Sequence, residues 1–445
     1  MRTVGRFFSR ALAAAASLAA LSCGSSTPTS SDNTAAGGNC SSQGQVQTVR
    51  ATLRDWYFWY QQLPDPDPAG FSSPEAYLDA VRYRPLDNTF SYIALKAESD
   101  AFFSDSQFIG FGFRSTLLGP DDFRVASVFA GSPAARAGMD RGSRFLEIGG
   151  RTVADLVASG QLGSVFGPSQ VGVSSRVRFL DRGGAEHEAT LVKELVTIPT
   201  VSVEEIYNVG GRTVGYLVFE NFVRPSTEAL NATFGRFAAA GVDEVILDLR
   251  YNGGGLISVA QHLGGLIGGD TTADRTFVRY VHNDKQASRN SVVPFPAPAN
   301  AVDVDRLVVI ATRSSASASE LVINALRPFM PVTVVGDRTY GKPVGQYGFD
   351  FCDKTLFPVA FSTVNANNEG DYFGGLPADC PAPDDIEHAL GDTGEGSLAE
   401  ALAFVANGRC SALAATRARA QALRRPPLSA QPHRGDGWRE LVGAF

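Results

Sequence analysis

This sequence is short of metal ligands, of excess positive charge and of long apolar runs. Five cysteines and five histidines occur in 445 residues. There is no Cys-x-x-Cys pair and no Cys/His spacing of the kind that holds a metal. None of His187, His262, His282, His388 and His433 sits in a motif. Beyond the N-terminus no run of 18 apolar residues occurs, so no transmembrane helix is expected. The formal net charge is −7, and no basic stretch is interleaved with aromatics, which argues against a nucleic-acid partner. Glycine and apolar residues are plentiful, at 46 residues and 44% respectively. They fit a globular, loop-rich chain, and the length implies about three domains.

The N-terminus reads as an export signal. Arg2, Arg6 and Arg10 precede an Ala/Leu run from Ala11 to Leu21, followed by Ser22 and Cys23. It resembles a bacterial lipoprotein signal, 1–23, with Cys23 lipidated after cleavage. Gly24 is not an acidic retention signal, so the expected place is the outer membrane, facing the periplasm. Residues 24–45, rich in Ser, Thr and Gly, read as a flexible linker. Export permits disulfides. The remaining Cys40, Cys352, Cys380 and Cys410 allow three pairings. The expectation is Cys352–Cys380, closing the polar loop between them, and Cys40–Cys410, tying the two ends together.

Residues 46–105 read as a small helical domain. Val46, Val49, Leu53, Trp56 and Tyr60 recur at helical spacing, and Ser73 with Pro74 marks the start of a second helix reaching about Tyr83. Residues 106–196 are β-rich and punctuated by glycine. From about 197 to 410, strands and helices alternate, which implies an α/β core. The tail, 411–445, carries six arginines after Cys410 and a Pro426–Pro427 pair, and reads as mostly disordered.

The richest stretch runs from Ser315 to Gln346. Ser317 lies in a small-residue turn. Apolar positions Val322, Ala325, Leu326 and Phe329 then follow at helical spacing, and Pro331 ends the helix. A serine at a helix start is commonly an N-cap, but its free N–H groups and dipole also favour a developing negative charge. Val332–Gly336 reads as a buried strand, and the loop after it delivers Lys342. Upstream, Asp248, Leu249, Arg250, Asn252, Gly254 and Gly255 form a strand running into a glycine turn, where backbone N–H groups can approach a carbonyl closely.

These motifs resemble the carboxy-terminal processing peptidases, or tail-specific proteases. The shared features are the Ser-Ala-Ser-Glu turn, a lysine 25 positions after Ser317, a glutamine four further on, and the Asp-Leu-Arg-x-Asn-x-Gly-Gly motif. The resemblance covers roughly 46–400. It implies a crotonase/ClpP-like α/β peptidase core, with a PDZ-like β-rich domain inserted and a small helical domain before it. It implies Ser317 as nucleophile, Lys342 as general base and Gln346 orienting the lysine. Ala318 with Gly254 or Gly255 would form the oxyanion hole. A PDZ-like domain would take a substrate C-terminus by strand addition, with Phe108, Ile109, Gly110, Phe111, Gly112 and Phe113 as the carboxylate loop. Substrates would be proteins or peptides. No cofactor and no metal are implied, and the sequence identifies no adaptor. One departure is Pro343, where many relatives carry glycine. His262, just after the glycine motif, is the rival base. The rival functions are a non-catalytic binding protein of the same fold, for apolar ligands or protein tails, and a hydrolase of small esters or amides.

Overall fold

The computed structural model describes residues 39–424. Cys23, the signal segment, most of the linker, His433 and the tail from 425 lie outside the described residues.

The strand Arg212–Phe219 shows how the core is layered. Val214, Tyr216 and Val218 enter one apolar cluster, and Leu217 and Phe219 enter another, because successive side chains of a strand point to opposite faces. Buried strands on both sides repeat the arrangement. The central sheet runs in the order Val201–Val209, Arg212–Phe219, Glu244–Asp248, Leu307–Ala311, Val332–Gly336, Cys380–Pro381. The first pair is antiparallel and all later neighbours are parallel. Helices Ser226–Ala239, Ile257–Thr272 and Ala318–Leu326 cover one face, and Gly396–Asn407 covers the other. A parallel sheet covered on both sides reads as near-continuous apolar runs, as in the Val-Ile-Leu and Leu-Val-Val-Ile segments here.

A five-stranded antiparallel path, Phe113–Gly119, Asp122–Val128, Arg144–Ile148, Ser174–Leu180 and Glu186–Val192, forms the β-rich unit. Its core holds Phe111, Phe113, Phe123, Phe145, Phe166 and Phe179. The chain enters and leaves the unit along a two-stranded ribbon, Gln107–Gly110 against Glu194–Thr197. Two buried ion pairs fasten it to the α/β core, Arg114 with Glu220 and Arg141 with Asp384.

The N-terminal helices are Ser42–Trp56 and Pro74–Val81. Val49, Tyr57, Trp59 and Leu78 share one apolar cluster with Val344, Phe349, Leu356 and Val359, which follow the lysine loop. Tyr92–Leu95 is a strand paired with Lys354–Phe357. The segment expected to be a helical domain is thus continuous with the wall of the core.

Both expected disulfide pairings are replaced. Cys40 bonds Cys352, and Cys380 bonds Cys410. Cys352 lies in the turn between Phe349–Phe351 and Lys354–Phe357, against which the first helix packs. Cys380 lies on the edge strand of the central sheet, close to where the chain emerges from Gly396–Asn407. The tail expectation also changes. Ala412–Arg424 is a helix, and Gln421 both accepts from Asp384 N–H and donates to its carbonyl. Among the described residues no helix is long and apolar enough to cross a membrane.

Candidate active site

The buried strand Leu307–Ala311 leads into the turn that carries Ser317. Ser315 Oγ accepts from Thr312 N–H at 3.0 Å and donates to Leu249 O at 2.7 Å. Ala316 N–H and Ser319 Oγ both donate to Asn252 O, at 3.1 and 2.9 Å. The two serines flanking Ser317 thus tie the turn to the Asp-Leu-Arg-x-Asn motif. Ser317 itself has φ 56° and ψ −112°, a region that side-chain-bearing residues rarely occupy. Such a residue costs on the order of 1–3 kcal/mol and persists only where its surroundings over-determine it. Helix Ala318–Leu326 begins immediately after it.

Lys342 arrives on the loop after Val332–Gly336. The loop turns at Gly341, φ 100°, where a Cβ would lie 2.3 Å from Phe373 O. Pro343 has no N–H, and its carbonyl accepts from Thr363 N–H and Oγ1, both at 3.1 Å. Lys342 is only 4% exposed, and its Nζ donates to Gln346 Oε1 at 2.6 Å. Gln346 Nε2 donates to Phe90 O at 2.6 Å and Phe357 O at 2.7 Å. The Phe90 ring lies 5.8 Å from the amine. Burial pushes the Lys342 ammonium down to about 8, against the opposing pull of the Asp87 and Glu320 carboxylates.

Glu320 is fully buried. Its Oε2 accepts from Ser317 N–H at 2.9 Å and Lys342 N–H at 2.8 Å. Its Oε1 accepts from Gly341 N–H and Thr339 Oγ1, both at 2.6 Å. Burial pushes its carboxyl up, and these four donors act against that by favouring the ionised form.

Gly254 faces Ser317. A Cβ there would come within 2.8 Å of Ala318 N and 2.9 Å of Ser317 Cβ, so only glycine fits. Its N–H is already committed to Asn252 Oδ1 at 2.9 Å. Among the described residues no protein acceptor takes the N–H of Gly255 or of Ala318. Both N–H groups flank Ser317 or the glycine turn, and Gly254 supplies clearance between the two.

Asp248 and Arg250 do not join this chemistry. Arg250 is completely buried among Asp248 (2.6 Å), Glu395 (2.8 Å) and Asp384 (3.4 Å), and Asp248 also accepts from Tyr216 OH at 2.9 Å. The rival base His262 lies on helix Ile257–Thr272, its Nε2 paired with Asn231 Oδ1 at 2.7 Å; burial pushes its imidazolium down. Of the expected carboxylate loop, Gln107–Gly110 is a strand, which takes in Phe108, Ile109 and Gly110. Phe108, Phe111 and Phe113 are buried in apolar clusters, so these rings do not line an open groove for an apolar side chain. Gly112 makes a close approach, its carbonyl accepting from Phe129 N–H and Ser132 Oγ. One group of potential metal ligands occurs among the described residues, Cys380, Glu400 and Cys410. Its two sulfurs are bonded to each other.

Sequence reasoning assigned no role to Glu320, Asp87 or Phe90. Ser-x-x-Glu spacing signals a capping box, which points to one of the four Glu320 bonds. Nothing local points to the other two residues.

The family model for peptidase family S41 matches residues 213–381, and that for the S41 N-terminal domain matches 44–92. Over these two segments the chain is similar to peptidase family S41. It is 28% identical over 235 residues to the carboxyl-terminal-processing protease of Synechocystis sp., covering 52% of each chain. It is 24% identical over 314 residues to a CtpA-like serine protease of Staphylococcus saprophyticus, covering 70% of this chain and 59% of that one. The chain therefore spans little more than half the length of these curated relatives. Among solved structures, an S41 protease of Bacteroides fragilis has the same fold, with TM-score 0.65 and 24% identity over 81% of this chain and 97% of that one.

Proposed function

We propose that this chain is a serine endopeptidase of the carboxyl-terminal-processing type, acting through Ser317 and Lys342 on a crotonase/ClpP-like core. The observation that carries the reading is the Lys342 amine. It is desolvated, aimed by Gln346, and attached to a loop that shares a carboxylate with the Ser317 turn. A solvated lysine is almost wholly protonated at neutral pH. One that titrates near 8 is neutral in about a tenth of molecules at pH 7, enough to serve as base.

Ser317 Oγ attacks the peptide carbonyl and its proton passes to Lys342 Nζ. The tetrahedral oxyanion is held by the N–H groups of Ala318 and Gly255. Collapse breaks the C–N bond, and Lys342 returns the proton to the leaving amine. Water, deprotonated by the same amine, then attacks the acyl-serine ester, and a second collapse releases the acid and regenerates Ser317. The test is cleavage of an unfolded protein by the purified full chain, followed by mass spectrometry. Ser317→Ala and Lys342→Ala should abolish it in folded protein. Normal cleavage by Ser317→Ala would reject the assignment, and loss in His262→Ala with retention in Lys342→Ala would transfer the base role.

The β-rich unit is proposed as the PDZ-like reader of substrate C-termini. Phe113–Gly119 is an edge strand of its sheet, the element to which an extended peptide adds, and the close backbone at Phe111 and Gly112 precedes it. The same unfolded substrate with an apolar, an acidic or an amidated end measures this. Equal rates for all three would reject tail reading. A place in the bacterial cell envelope, on a lipid anchor at Cys23, is supported by the signal-like N-terminus and by two disulfides of the kind that persist in oxidising compartments.

A further inference from the structure

The nucleophile turn and the lysine loop belong to different strand–helix units, and their relative placement has to be fixed to within fractions of an ångström for proton transfer. The backbone supplies one direct bond between them, Tyr340 N–H to Ser315 O at 3.0 Å. The remaining bridge is a side chain. Glu320 accepts from the backbone of Ser317 on one side and from Gly341 and Lys342 on the other, with Thr339 Oγ1 completing its shell.

A glutamate at the third position of a helix commonly bonds the N-cap N–H, which needs one oxygen and can be done at a surface. Here the residue is fully buried and forms no ion pair among the described residues, since the Lys342 amine goes to Gln346. Burying a carboxylate without a partner cation is costly. Three of its four donors come from the lysine loop, which helix capping alone does not call for.

We propose that Glu320 is the positioning residue of the Ser317–Lys342 pair, holding the nucleophile turn and the base loop in one register through a single carboxylate. The inference rests on the peptidase reading above. Both oxygens are required, because a glutamine would offer one acceptor and turn its NH2 group toward two donors. The charge has a second consequence. Lys342 is faced by two carboxylates, Glu320 from the nucleophile helix and Asp87 from the N-terminal segment, and each holds its proton on. Tyr372 is the other titratable group under the influence of Glu320.

The experiment compares wild type, Glu320→Gln and Thr339→Val by three measurements: peptide cleavage across pH, melting temperature, and amide hydrogen exchange. In Glu320→Gln, kcat should fall on the order of a hundredfold with KM little changed. The acidic limb of the rate profile should move to lower pH, because one carboxylate no longer stabilises the ammonium. Exchange should quicken in both the peptide spanning Ser317 and the peptide spanning Gly341–Lys342. Thr339→Val, which removes one donor and keeps the charge, should give a smaller fall in kcat. It also keeps the inference testable should Glu320→Gln fail to fold. An unchanged kcat, an acidic limb that stays in place, or faster exchange confined to one of the two turns would overturn the assignment. If wild type cleaves nothing, the peptidase reading fails instead, while paired exchange at the two turns still reports whether Glu320 bridges them.

Discussion

Gln346 holds Lys342 with its amide fixed in one orientation. Nε2 donates to two carbonyls, Phe90 O and Phe357 O, so Oε1 is the atom that faces the amine, at 2.6 Å. An amide turned the other way would set its oxygen against both carbonyls and two sets of N–H hydrogens against each other. The neutral acceptor orients the lysine without adding a charge that would fix its proton.

Gln346→Glu should therefore act through the pH profile. A carboxylate next to the amine favours the ammonium, and an opposite charge at this range raises a lysine by ~1–3 units. Wild-type activity should rise with pH through about 8, as Lys342 loses its proton. In the variant that rise should lie at higher pH, with more than tenfold lower kcat/KM at pH 7.5 and partial recovery near pH 9.5. Measured pH–rate profiles of the two proteins check this. Superimposable limbs would mean that Gln346 does not set the state of Lys342.

Lys342→Met should remove activity and raise stability. The folded lysine titrates near 8 and the unfolded one near 10.5, so below pH 8 folding must bury an ammonium. The corresponding cost is about 3 kcal/mol. It is present in full below pH 8, diminishes between 8 and 10.5, and is absent above. Methionine escapes it but leaves Gln346 Oε1 unpaired, which costs about 1–3 kcal/mol. The expected net is a gain of about 1 kcal/mol at pH 7 that turns into a loss by pH 10.5. Denaturant unfolding at both values measures it.

Much of this site was legible in the sequence because its parts are local. Ser317, Lys342, Gln346 and the glycine turn each sit in a recognisable strand–turn–helix context, and their spacings narrowed the chemistry. What escaped was set by contacts between distant segments. Asp87 and Phe90 reach Lys342 only because the N-terminal segment packs on residues 344–359. The disulfide partners were misassigned because four cysteines carry no information on which hairpin meets which helix. Phe111 and Phe113 read as groove residues by their place beside Gly112, but both rings are in the core. Ala412–Arg424 is rich in arginine, yet Ala414 is buried and Gln421 bonds the Asp384 backbone, contacts that composition does not register.

The two disulfides should appear as the linked peptides Cys40–Cys352 and Cys380–Cys410 in a non-reducing digest. The first spans 312 residues and the second 30. Closing the longer loop removes more freedom from the unfolded chain, and loss of a native disulfide costs about 2–5 kcal/mol. Cys40→Ser with Cys352→Ser should thus lower the melting temperature more than the other double replacement. It should also lower activity, since Cys40 pins the helix whose segment carries Phe90 and Asp87. An equal or smaller shift would mean that the first helix holds its place without the bond.

Arg141→Ala tests how the β-rich unit is held. Arg141 is buried, and its guanidinium donates to Asp384 Oδ1 at 3.0 Å, Tyr251 OH at 2.9 Å and three backbone carbonyls. Asp384 in turn reaches Arg250 and Tyr251. Tyr251 directly precedes Asn252, whose carbonyl anchors Ala316 and Ser319. Removing the guanidinium takes a donor from three carbonyls, Ala126 O, Asp385 O and His388 O. Asp384 keeps Tyr251 and a longer contact to Arg250. Breaking one side of a buried ion pair costs about 3–5 kcal/mol, and the surviving contacts place this site at the lower end. The loss should be concentrated in docking, because the phenylalanine core of the unit does not include Arg141. Hydrogen exchange should therefore quicken first along Ala126 and the 384–388 segment, while the strands Phe113–Gly119 and Arg144–Ile148 stay protected. Uniform loss of protection through the unit would show that Arg141 holds its fold and not only its attachment.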